Sequence, residues 1–118
     1  MEKEKSSINH IVCYHFNFPI RKLRDKTNKE GIHDIISKRQ LCIYFHIKYR
    51  KVTYADIAGL FFGNRKDHAK VIYSKNAVLK KMFDFEFSHD VHEIEQKILR
   101  QGYKLVDRKH FKQKREYI

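Results

Sequence analysis

Apolar residues recur along this chain at helical spacing. Ser7 is placed to cap a first helix in which Ile8, Ile11, Val12 and then His15 or Phe16 share a face, and Asn17 to Pro19 interrupts it. Pro19 suits the opening of a short second helix, Ile20 to Asp25, before the polar stretch Lys26 to Gly31 makes a loop. A long third helix is expected from Ile32 to Arg50. Its inward positions are Ile32, Ile35, Ile36, Ile43 and Ile47, and Leu41, Tyr44 and Phe45 widen the apolar face until two sides are covered, which marks it as the central helix.

Thr53-Tyr-Ala-Asp56 has the spacing of a capping box, and Ile57, Ala58, Leu60 and Phe61 follow it in a short helix that stops at Gly63. Asn64 then caps a further helix whose first turn holds Arg65 to His68, and Val71, Ile72 and Leu79 point it at the core. A last helix spans Asp90 to Arg100 on Val91, Ile94 and Ile98. The expected architecture is all-α, a compact bundle of five to six helices over residues 1–106, with a basic tail, frayed or disordered, over 107–118.

Charge sharpens this picture. The 118 residues carry a formal net charge of +12, and residues 20–81 alone hold sixteen basic and five acidic side chains. Residues 82–95 hold five acidic and no basic side chains, and Asp84 with Glu86 reads as a solvated anionic connection between two basic blocks. Such a chain seeks polyanions, nucleic acid before an anionic membrane surface. No stretch approaches the length of a membrane span and the polar start lacks a secretory signal, so a cytoplasmic protein is expected. Cys13 and Cys42 sit among apolar neighbours and read as reduced, buried thiols.

A short helix, a glycine turn and a second helix opening on Arg65-Lys66-Asp67-His68-Ala69-Lys70 are the ingredients of a helix-turn-helix. Arginine and lysine donate to guanine, aspartate accepts from cytosine, histidine does either, and an alanine methyl packs on thymine. Two helices joined by a surface turn with solvated charges would give the same letters.

The order Arg39-Gln40, Thr53-Tyr-Ala-Asp-Ile57-Ala58, then Phe62-Gly63-Asn-Arg65-Lys66-Asp67-His68-Ala69-Lys70-Val71-Ile72-Tyr73 resembles the C-terminal DNA-binding domain of the bacterial replication initiator DnaA, in the Trp-repressor-like superfamily. The upstream helices fit the same pattern, so the resemblance runs from about residue 7 to residue 100. It implies that Arg39 reads the minor groove, while Arg65, Lys66, Asp67, His68, Ala69 and Lys70 face the major groove. Lys22, Arg24, Lys26, Lys29, Thr53, Tyr54 and Lys75 would then hold phosphates, the two at the helix start through free backbone N–H groups.

Two threonines usual after Asp-His are here Ala69 and Lys70, which removes a hydroxyl donor and adds a cation, and the segment from Ile57 to His68 is longer than the family's. No phosphate loop of the Gly-x-x-x-x-Gly-Lys-Ser/Thr kind occurs, so the resemblance implies a nucleoid-associated DNA binder without the initiator's ATPase, either an excised domain or a free-standing relative, monomeric on duplex DNA.

Other chemistry is less well supported by spacing. His89 with His92, Cys42 with His46, and Cys13 with His10 and His15 are metal half-sites that arise readily among eight histidines; no metal, cofactor, small-molecule substrate or membrane partner is expected. No glycine-rich elbow or oriented base accompanies the cysteines, so no enzyme is expected either. Tyr44-Phe45 and Phe61-Phe62 read as core before they read as base-stacking platforms. The alternative to duplex recognition is a non-enzymatic module that binds RNA or another protein through the same basic face without base readout.

Overall fold

The computed structural model describes residues 6–24 and 32–108, and over these the chain is a bundle of five α-helices with no strand. Helix α1 (Ile8–Phe16) starts where Ser7 Oγ accepts from the His10 N–H at 3.1 Å. It ends on Asn17, a left-handed residue whose neighbour Phe18 donates to the Cys13 carbonyl. A single 3₁₀ turn (Ile20–Arg24) follows and buries Leu23.

Helix α2 (Ile32–Tyr49) is the axis of the molecule. Every residue from Gln40 to Ile47 is buried, as its two apolar sides require. Ile36 departs from the expected inward set: it is 37% exposed, on the side of α2 that faces a groove. Around α2 pack α1, α3 (Tyr54–Phe62) and α4 (His68–Lys81), and α1 also packs on α5 (Phe85–Arg100).

The capping box of α3 forms in both directions, with the Asp56 N–H donating to Thr53 Oγ and the Thr53 N–H to the Asp56 carboxylate, each at 3.0 Å. Gly63 closes α3 at φ +70°, a conformation that favours glycine.

Two helix starts move from their expected places. Helix α4 begins at His68: Asn64 Oδ1 accepts from the Lys66 N–H and the Asn64 carbonyl from Asp67, which folds Asn64–Asp67 into a turn of its own before the helix. Helix α4 buries Val71, Ser74 and Val78, and Leu79 is 48% exposed. The Ser74 hydroxyl is satisfied by donating to the Lys70 carbonyl, so this stripe carries a polar residue where the sequence suggested leucine. Helix α5 begins five residues before the expected Asp90, because Asp84 caps it by accepting from the Phe87 N–H. Asp84 and Glu86 are therefore helix-start residues.

Asp107 and Arg108 belong to the described fold, while the rest of the expected basic tail lies outside the described residues. The Arg108 guanidinium donates to the carbonyls of Ile47, Arg50 and Val52 at 2.7–3.1 Å. It thus satisfies groups left open where α2 ends. The Val106 N–H adds a bond to the Lys48 carbonyl at 2.8 Å.

Cys13 and Cys42 are buried free thiols. They hydrogen-bond to each other, which lowers the Cys13 pKa and, together with burial, raises that of Cys42.

Candidate nucleic-acid interface

Helices α3 and α4, joined by the turn 63–67, pack on each other and on α2. With Val71, Ser74 and Val78 turned inward, helical periodicity sends Ala69, Tyr73, Asn76 and Lys80 outward, with Lys70 at one edge of that face. His68, Ile72 and Lys75 run along the opposite flank and are half-buried.

Lys70 and Ala69 share a groove of about 580 Å³ with Arg39 and Gln40 of α2 and Phe62 of α3. The proposed minor-groove residue and two of the proposed major-groove residues therefore come together, whereas His68 and Lys75 lie on the other side of the same helix.

Several candidate side chains already have partners. Arg39 donates from Nε to the Leu23 carbonyl at 2.6 Å, tying α2 to the 3₁₀ turn. Arg65 forms a charge-assisted bond from Nη1 to Asp56, and its stem lies across α3 where Gly59 has no Cβ to obstruct it. That bond, followed by the Thr53 N–H, holds the Asp56 carboxyl below its ordinary pKa. Lys70 Nζ sits 3.4 Å from the Asp67 carboxylate and 5.3 Å from the centre of the Phe62 ring. Lys66 is exposed in the turn.

At the start of α3 the capping box takes the Thr53 and Asp56 N–H groups and places a carboxylate there, so an arriving phosphate would meet an existing anion. The Tyr54 ring lies 5.7 Å from the Arg108 guanidinium. Lys22 is half-buried in the 3₁₀ turn, Arg24 closes that turn, and Lys26 and Lys29 lie outside the described residues.

Two residues of this surface stand in the sequence motif but had no role assigned to them there. Tyr73 is 69% exposed on the same face as Ala69. Its sequence signals are its place at the end of that motif and its spacing of three from Lys70. Gln40 is one of three buried polar residues among those described, and it lines the groove.

The suggested metal half-sites have other partners. His46 bonds Asn9 and Arg50, Cys42 bonds Cys13, and His89 stacks on Phe85 and meets Glu93 at 3.3 Å. His15, Asp90 and Glu93 do bring three ligand atoms within 4.8 Å of one another. Lys97 Nζ already lies 2.9 Å from His15 Nδ1, so that nitrogen accepts and Nε2–H donates to Asp90 at 3.0 Å, an arrangement that turns a proton toward the would-be ion.

Among the described residues, no helix is long and apolar enough to cross a membrane. Compared with family models, curated proteins and solved structures, the chain matches none.

Proposed function

We propose that this protein binds duplex DNA in a sequence-selective way, α4 entering the major groove by its N-terminal half and Arg39 serving the adjacent minor groove. The observation that carries this reading is the convergence of Arg39, Ala69 and Lys70 on one groove beside the exposed face of α4. Lysines 66, 70 and 80 neutralise phosphate there, while Ala69, Tyr73 and Asn76 face base edges. The excess positive charge of residues 20–81 supports it, as does the resemblance to the DnaA DNA-binding domain, with no phosphate loop in this sequence to supply that initiator's ATPase activity. It acts as a monomer on its site within the nucleoid.

The deciding experiment is selection of bound duplexes from a randomised pool at moderate salt. Enrichment of a short motif is expected. Arg39→Ala should then relax preference at discrete base pairs by about 1–3 kcal/mol, and Lys66→Ala should weaken all sequences alike and reduce the salt slope by about 1. A pool that emerges unenriched overturns the reading.

One observation favours a second reading, binding of RNA or a protein by the same basic face without base readout: Arg65 is bonded to Asp56 and His68 lies on the far flank, which leaves few base readers. Retention of binding with no motif would select it.

A further inference from the structure

The α2–α4 groove contains a buried group that duplex binding leaves unused. Gln40 is 8% exposed and lines the groove, and among the described residues nothing bonds its side-chain amide. A buried amide without partners is costly, so such a group calls for a ligand that supplies them. The walls beside it are Ile36, Phe62, Ala69 and Tyr73, and Lys70 stands at the rim. Among the described residues no acidic side chain lines the groove, and the carboxylate nearest Lys70 Nζ is that of Asp67, at 3.4 Å.

We propose that this groove holds a single unstacked adenine nucleotide. The base edge meets the Gln40 amide, the base ring lies on the apolar and aromatic wall, and the phosphate is held by Lys70. The chemistry fits part by part. A glutamine amide sets its acceptor oxygen beside its donor NH2, which match the adenine N6 amino group and N7, whereas guanine presents two acceptors on that edge. Aromatic side chains stack on any base, and a lysine ammonium is a point charge suited to phosphate. The volume of about 580 Å³ lies within the range of small-molecule and cofactor sites. The ligand is either a free nucleotide or one unpaired nucleotide of a strand. Either would use Lys70, so occupancy would compete with duplex binding, yet the inference stands on the groove and does not require duplex recognition.

The test is a titration of the isotope-labelled full chain, without duplex, followed by nuclear magnetic resonance. The probes are AMP, GMP, ribose 5-phosphate and a single-stranded oligo-dA of about six nucleotides, within the site size of single-strand binders. AMP should move the backbone resonances of Gln40, Ala69 and Tyr73. Gln40→Leu should weaken AMP about tenfold and leave the weak response to ribose 5-phosphate unchanged. Tyr73→Ala, an exposed position that cannot unfold the core, should weaken AMP as well and keeps the test valid if Gln40→Leu fails to fold.

Oligo-dA binding with the same dependence on both variants assigns the site to an unpaired nucleotide of a strand, and AMP binding alone assigns it to a free nucleotide. The proposal is overturned by silence of these resonances at about 10 mM AMP and with oligo-dA, by GMP binding as tightly as AMP, or by wild-type affinity in both variants. Duplex selection has its own outcome, so either reading can fail without the other.

Discussion

Acid should destabilise this protein through one histidine. His46 lies in the fully buried stretch of α2, its ring centre 5.4 Å from that of Phe61 in an edge-to-face arrangement. Arg50 can only donate, so its bond to Nδ1 at 3.2 Å makes that nitrogen the acceptor and leaves the proton on Nε2, which donates to Asn9 Oδ1 at 2.8 Å. Burial first, and the Arg50 charge second, lower the His46 pKa to about 3.

In the unfolded chain the same imidazole titrates near 6.5. Between these values the unfolded state binds more protons than the folded one, so stability is fully present above about pH 6.5 and falls as the pH falls toward 3. The difference between pH 7.5 and pH 5 comes to about 2 kcal/mol from this group alone. Asp56, whose carboxyl is held below its ordinary pKa, loses its contribution only at lower pH, which leaves the window clear.

Urea unfolding of the wild type and of His46→Gln at both pH values measures the effect, since the glutamine cannot titrate and the difference in pH slope belongs to His46. Equal slopes, or a His46 ring resonance that titrates near 6.5 in the folded protein, would rule out a histidine buried in its neutral form.

Three other substitutions test the remaining structure. Arg108→Ala opens the carbonyls at the end of α2 and should cost about 2–4 kcal/mol in denaturant melts, with Arg108→Lys recovering little because one ammonium cannot replace the guanidinium fork. Thr53→Ala removes half of the capping box and should cost about 1 kcal/mol, read as a lowered unfolding midpoint with an unchanged denaturant slope. Phe83→Ser should leave stability within about 0.5 kcal/mol, since that ring is 97% exposed in the turn before α5; a larger loss in the same melts would mean that the ring is packed.

The parts legible in the sequence are those governed by local physics. Ser7 and the Thr53–Asp56 box cap the helices they were expected to cap, because capping needs only residues three apart. The two apolar sides of α2 likewise announce a stretch buried all round, Gln40 to Ile47. The moved boundaries have local causes: Asn64 has the chemistry of a cap but bonds its own turn, and Asp84 caps a helix whose stripe of Val91, Ile94 and Ile98 reaches back to Phe87, which packs against the core. Leu79 and Ile36 mislead because apolar letters do not say which flank meets the core, while Ser74 hides its hydroxyl in a bond to the Lys70 carbonyl and so passes as core. Arg108 was out of reach for a different reason: its carbonyl partners lie more than fifty residues away.

The candidate interface divides along the same line. Its basic letters are visible in sequence, but the groove that joins Arg39 to Ala69 and Lys70 exists only once α4 packs on α2. That packing is borne by Val71, Ser74 and Val78, residues on the other side of the helix from Tyr73 and Asn76. Substitutions on the outer face should therefore alter recognition without loosening the bundle. Arg39 and Gln40 are different: one holds the 3₁₀ turn through the Leu23 carbonyl, and the other is buried beside the groove with its amide unmatched. Changes there touch both fold and binding, so their effects on binding are interpretable only beside a melt of the same variant. A loss of affinity that exceeds what the melt explains would locate recognition in the groove itself.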